Sequence, residues 1–224
     1  MSYFSRQMLA PSEIRIERPL RLWLALLSGT VAIVLIAILW IDKPVAFLVN
    51  GLFGSRDFSH LASSPVVSLP LIAAFIFVAF GILSLLGRRL SQIETAVLLC
   101  DISALIAEVV KDQLKYAFGR TWPDSWGPMV TSLIHDGEYR FYFFSHAPSL
   151  GSFPSGHATF AASVLSVLWL LFPKLGALFG LTMGAVAVGL VLLNLHFVSD
   201  VIAGTFVGAS TGLFTMSLRN FLKA

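Results

Sequence analysis

Charge is what this sequence has least of: charged residues make up only 12% of it, about half the share of an ordinary soluble domain. A chain so poor in charge cannot clothe a large water-facing surface, which excludes a soluble globular fold. Cysteine is scarcer still. The single Cys100 lies inside an apolar run, so no disulfide framework holds the chain together. The net charge is +3 and the pI about 9.2, yet the basic residues are scattered over short connections and form no nucleic-acid patch. The histidines and carboxylates lack metal-ligand spacing. No internal repeat and no shift of composition marks a second domain.

What the sequence has in abundance is apolar residues, 57% of the chain, with a mean hydropathy of +0.85. Crossing roughly 30 Å of hydrocarbon takes about 20 such residues. Six segments come near that length: Leu20 to Ile41, Val66 to Leu86, Ile93 to Phe118, His157 to Phe172, Leu175 to Leu195 and Val201 to Leu218. The expected fold is therefore all-α, a polytopic membrane protein with six transmembrane helices in one compact bundle, residues 1–224 forming a single membrane-embedded domain. Short connections after the second, fourth and fifth segments favour antiparallel neighbours. The polar segment 1–19, with Arg6, Arg15 and Arg18, precedes an apolar stretch too long for a signal-peptide core and has no obvious cleavage site after it.

Connections on the cytoplasmic side collect Lys and Arg. With segment 1–19 inside, Arg88, Arg89, Lys174, Arg219 and Lys223 fall inside as well, and residues 42–65, 119–156 and 196–200 fall outside. Three stretches then bring polar and ionisable residues to the outer ends of spans, where an unused charge is costly. The first is KYAFGRTWP, Lys115 to Pro123. The second is FPSGHATFAAS, Phe153 to Ser163, in which Pro154 and Ser155 suit a helix start, Gly156 admits a ligand close to the backbone and His157 falls in the first turn. A helix start presents unpaired N–H groups and the positive end of the dipole, a natural phosphate site. The third is LHFVSDVIAG, Leu195 to Gly204, where four residues separate His196 from Asp200. One helical turn puts that carboxylate on the same face as the imidazole.

A histidine held by a carboxylate has its tautomer set and its opposite nitrogen primed as nucleophile or base. A second histidine at a helix N-terminus can protonate a departing alkoxide. Between them, Lys115, Arg120 and the N–H groups around Ser155 and Gly156 can meet the phosphoryl oxygens. Together these residues resemble the type 2 phosphatidic acid phosphatase superfamily, whose three blocks read K-x6-R-P, P-S-G-H and S-R-x5-H-x3-D. The middle block is matched in full by Pro154, Ser155, Gly156 and His157, the third keeps His196 and Asp200, and the first keeps Lys115 and Pro123. Trp122 stands where the first block has arginine, and Gly189 and Leu190 stand where the third has Ser-Arg.

The resemblance implies His196 as the nucleophile that becomes phosphorylated, His157 as general acid and Asp200 as the group orienting the nucleophile. Arg120, two residues before Trp122, is the expected stand-in for the first lost arginine, alongside Lys115, Ser155 and Gly156 as phosphate ligands. It further implies an enzyme of a bacterial inner membrane, its active site at the outer face in the loop 119–156, acting on a lipid phosphate without metal or other cofactor. The bilayer and that lipid are the partners implied, and nucleic acid is not among them. A lipid phosphotransferase using the same phosphohistidine, or a non-catalytic lipid-binding or transport protein, remains the alternative at this level.

Further polar residues have plainer expectations. Asp101, Glu108, Lys111 and Asp112 make the third segment unusually polar, and pairing within the bundle, Glu108 with Lys111 at i,i+3, is the ordinary reading. His60, His135 and His146 belong to outer loops, with His146 close enough to Pro154 to line the site. Tyr139, Phe141, Tyr142, Phe143 and Phe144 suit an interfacial aromatic belt that also meets a lipid headgroup.

Overall fold

The protein is described from a computed structural model, which covers residues 17–54, 69–88, 90–125 and 130–221. Helix α1 (Glu17–Ile36) runs through a π-helical turn (Ala37–Ile41) into α2 (Asp42–Phe53). Then follow α3 (Leu69–Leu85), α4 (Gln92–Phe118), the single-turn α5 (Leu133–Asp136), α6 (Gly156–Leu171), α7 (Gly176–Leu192) and α8 (Val198–Phe221). Among the described residues there is no strand, only isolated bridges joining Arg120 to Phe141 and Gly151, and Trp122 to Ser132.

Each of the six expected apolar segments contains a helix, and among the described residues three stretches are long and apolar enough to cross a bilayer. These are Leu20–Phe53 with mean hydropathy 2.7, Pro173–Leu192 with 2.2 and Val198–Arg219 with 1.5. Helix α6 is apolar but shorter. The helices turn their large apolar side chains outward, as at Leu22, Leu35, Phe75, Leu181 and Val188. Small and hydroxyl residues face inward: Ala158, Thr159, Ala162 and Ser163 of α6 are buried. Water would not tolerate such an exterior, whereas lipid does; the chain is an integral membrane protein.

One boundary departs from expectation. Residues 42–53, read as the start of an outer loop, continue the first helix. Apolar sequence resumes after Lys43, and the only obstacle is Pro44, which has no N–H to return to the preceding turn. The wide turn Ala37–Ile41 directly before it is where the ladder shifts. Segment 1–16 of the expected cytoplasmic end, Arg56, His60, Arg89 and Lys223 lie outside the described residues.

The centre of the bundle is the pair α6–α8, with α4 packed against both, α7 and α1 flanking them, and α3 resting on α4. Glycine makes the central pair possible. Gly204, Gly208 and Gly212 recur every fourth residue down one face of α8, and a Cβ on Gly208 would lie 2.1 Å from the Thr159 carbonyl oxygen. Two backbones meet there with no side chain between them. Helix α4 is bounded by clear signals. Ser91 and Glu94 form a reciprocal capping box at its start, and Gly119 ends it with φ +45, where a Cβ would strike the Tyr142 carbonyl oxygen at 2.1 Å.

Candidate active site

The histidines come from different elements and meet at one end of the central pair. His157 is the second residue of α6, and His196 lies in the turn before α8; their ring centroids are 6.2 Å apart. Asn194, at φ +55, turns the chain sharply between α7 and α8, in the left-handed region that asparagine tolerates better than most residues.

Asp200 is fully buried in the first turn of α8. Its Oδ2 accepts from the Ser152 hydroxyl at 2.6 Å and from the Phe197 N–H at 3.1 Å, and lies 3.7 Å from His196 Nδ1. The histidine and aspartate do not share a helix face, as one helical turn of spacing had suggested. Helix α8 begins only at Val198, because Asp200 folds back to cap the Phe197 N–H and leaves His196 outside. The carboxylate still sits beside the imidazole, through the turn. His196 is 3% exposed; burial lowers its pKa below the ordinary 6.5, and the facing Asp200 carboxylate opposes that shift. The neutral ring is thereby favoured, with Asp200 on its Nδ1 side.

Lys115, in the last turn of α4, donates to the Gly151 carbonyl oxygen at 2.6 Å and stands 5.5 Å above the Trp122 ring. That ring in turn lies 5.0 Å from the His196 ring. Trp122 thus fills the place of the consensus arginine as a wall between lysine and histidine, and offers no second charge. Lys111, one turn earlier, forms the expected ion pair with Glu108 at 2.6 Å. Its stem also reaches the start of α6, where a Cβ on Gly156 would meet Lys111 Cδ at 3.1 Å.

Two expected phosphate ligands are engaged elsewhere. The Ser155 N–H donates to the Asp200 carbonyl oxygen at 3.0 Å, and its hydroxyl caps α6 by accepting from the Ala158 N–H at 3.3 Å. Ser155 therefore serves as helix cap and tie to α8, and the first-turn N–H groups of Gly156 and His157 are those without an intrahelical acceptor.

Arg120 departs further from expectation. Its guanidinium has no exposed surface and lies behind Asp200. Nη1 donates to Asp200 Oδ1 and to Ser199 Oγ at 2.6 Å, while Nη2 donates to Asp42 Oδ2 at 2.7 Å and to the Tyr139 hydroxyl at 2.8 Å. The rings of Phe197, Phe141 and Tyr139 surround it at 4.3, 4.8 and 5.0 Å. Burial works against its charge, and Asp200 and Asp42 more than compensate, raising its pKa. A contact with substrate phosphate is not open to it in this arrangement.

Other expectations divide. His135 pairs with Asp124 at 2.9 Å, and His146 stacks on Tyr116 with centroids 4.2 Å apart; both are occupied by loop packing. Asp101 is buried and its Oδ2 has no hydrogen-bond partner, whereas Glu108 and Lys111 make the expected pair. It borders a cavity of about 410 Å³ between α3, α4 and α6, otherwise lined by apolar side chains and Cys100. Tyr139 is no belt residue: its hydroxyl also lies 2.6 Å from the Ile38 carbonyl oxygen, inside the bundle. Among the described residues no group of three or more His, Cys, Asp or Glu could hold a metal ion. Sequence reasoning missed Asp42, Ser152 and Ser199. Only Asp42 carried a signal, an acid followed within a few residues by renewed apolar sequence.

Residues 95–223 match the PAP2 superfamily. The chain belongs to that superfamily. The match covers more than half of the chain and takes in both histidines, Asp200 and Lys115. Among curated proteins, the PAP2 chain is 32% identical over 114 residues to a lipid A 1-phosphatase of Rhizobium johnstonii, covering 50% of this chain and 43% of that protein. It is 32% identical over 114 residues to a lipid A 1-phosphatase of Rhizobium etli, covering 50% and 46%. The aligned region thus spans less than half the length of either relative. Among solved structures, a transmembrane PAP2-type phosphatidylglycerolphosphate phosphatase from Bacillus subtilis aligns over 88% of this chain and 87% of that one, at 21% identity and a TM-score of 0.37.

Proposed function

We propose that this PAP2 protein is a phosphohydrolase that removes phosphate from a membrane lipid at the outer leaflet, through a phosphohistidine and without a metal ion. The observation that carries the reading is the convergence of His157 and His196, 6.2 Å apart, with a buried carboxylate behind one and a helix N-terminus under the other. His196, neutral and with Nδ1 turned to Asp200, attacks phosphorus through Nε2. The P–O bond to the lipid breaks as the N–P bond forms, and His157 delivers its proton to the departing lipid oxygen. Lys115 and the N–H groups of Gly156 and His157 meet the phosphoryl oxygens. In the second half, water gives a proton to His157 and attacks phosphorus, releasing inorganic phosphate and restoring His196.

Six crossings with segment 1–19 in the cytoplasm belong to the same proposal, as does an inner-membrane location with the histidines facing outward. The Lys and Arg distribution supports both. Lipid A is the first substrate to try, given the names of the curated relatives, followed by phosphatidic acid, phosphatidylglycerophosphate and undecaprenyl pyrophosphate. The test is phosphate release by the detergent-purified protein in the presence of a chelator. Release from one lipid that vanishes in His196→Ala is the expected result. A loss of all activity in chelator that magnesium restores would sink the metal-independent mechanism, and transfer of phosphate to an added alcohol or second lipid in preference to water would make the protein a phosphotransferase.

A further inference from the structure

We propose that Asp42, on the N-terminal helix and outside the family-matched region 95–223, is a positioning residue of the site, acting on His196 through Arg120 and Asp200. The proposal rests on the phosphohistidine reading above and assigns Arg120 to the aspartates in place of the phosphate. Asp42 is 1% exposed and completely engaged. Its Oδ2 takes the Arg120 Nη2 at 2.7 Å, and its Oδ1 takes the Ser199 backbone N–H at 3.0 Å. The Ser199 hydroxyl, which accepts from Arg120 Nη1, donates back to Asp42 Oδ2. Arg120 then holds Asp200 Oδ1, and Asp200 Oδ2 faces His196 Nδ1. One cation thus lies between two carboxylates in a pocket closed by aromatic rings.

The charge balance gives Asp42 its work. With Arg120 alone, the negative charge of Asp200 would be cancelled where His196 feels it, and a histidine accepting a phosphoryl group, which becomes positively charged, would lose its counter-charge. Asp42 neutralises the guanidinium and leaves the cluster with one net negative charge beside His196. A guanidinium is suited to this role because its planar fork bonds both carboxylates at once. The other charged or titratable groups facing His196 are Lys115 from α4 and His157 from α6, both outside the cluster.

The test uses the full-length protein in detergent, with three variants read by steady-state kinetics and by ¹⁵N imidazole NMR of His196. Asp42→Asn keeps the shape and removes the charge. It should lower kcat by on the order of 10- to 100-fold, as loss of a histidine's supporting partner does at metal sites, with KM within about twofold, and should move the His196 titration to lower pH. Asp42→Glu should recover part of kcat. Arg120→Met should lose most activity, and Arg120→Met combined with Asp42→Asn, which again leaves a single negative charge on Asp200, should regain at least severalfold over Arg120→Met alone. A raised KM at unchanged kcat in Asp42→Asn, or a double variant no better than Arg120→Met, overturns the proposal and returns Arg120 to the phosphate. If Arg120→Met does not fold, Asp42→Asn and Asp42→Glu decide the matter by themselves. The NMR titration needs no turnover, so a protein without phosphatase activity refutes the functional reading while the His196 shift still judges the cluster.

Discussion

At the scale of single residues, the site is a set of buried polar groups whose partners determine what each can do. His196 is held neutral by burial, which lowers its pKa below the ordinary 6.5, and in the proposed mechanism it must be deprotonated to attack. The acid limb of kcat/KM for the free enzyme therefore falls below pH 6.5, and a pH–rate profile checks it: activity is retained as pH drops to 6.5 and lost as His196 takes up its proton. His196→Ala should reduce turnover by roughly 10³-fold or more. Acid-labile labelling of the protein from a phosphate-labelled lipid should disappear with it. His157→Ala should cost roughly 10²–10⁴-fold on alkyl phosphates, and much less on an aryl phosphate whose oxygen leaves without a proton. Equal losses on both substrates would remove the general-acid role. Asp42 and Arg120 also carry stability. Removing one partner of a buried ion pair strands the other, a penalty of roughly 3–5 kcal/mol, so Arg120→Ala should lower the melting temperature as well as activity.

At the scale of elements, the pair α6–α8 fixes the distance between the histidines, since His157 rides on the first turn of one helix and Asp200 on the first turn of the other. Their spacing is set by glycine. A Cβ at Gly208 would meet Thr159 O at 2.1 Å and Ser163 N at 2.8 Å, whereas at Gly184 of α7 nothing lies within 4 Å. Gly208→Leu should therefore separate the helices, destabilise the fold by roughly 1–3 kcal/mol or more and impair catalysis. Gly184→Leu should leave both intact. Thermal unfolding in detergent, followed by tryptophan fluorescence, distinguishes the two; similar melting for both variants would mean that the close approach is not what holds the pair. The same glycines recur at four-residue spacing in the sequence, and their role becomes visible only when the facing helix supplies a backbone to press against.

At the scale of the whole molecule, the N-terminal helix reaches the candidate site, since it delivers Asp42 to Ser199 and Arg120 across a separation of 157 residues in the first case. In the proposed orientation Lys174 lies inside and Glu138 outside, so a cysteine introduced at Glu138 in a Cys100→Ala background should react with an impermeant maleimide in intact cells, and one at Lys174 should react only after lysis. The opposite pattern would invert the bundle.

Composition and short-range spacing were enough to determine the membrane class and the helical segments, and to single out the two histidines that the fold brings together. Long apolar runs have one stable solution in lipid, and a helix start marked Pro-Ser-Gly-His declares itself locally. Partners far apart in the chain were decided only in three dimensions. Arg120 reads in sequence as a loop cation near the phosphate, and Asp42 as the first residue beyond a span. A buried charge is stable only where an opposite charge meets it, and which one meets it depends on the packing of α2, α8 and the loop after α4. That packing joined Arg120 to two aspartates, turned Ser155 into a helix tie, and set Trp122 as a wall beside His196 where the family consensus has a cation.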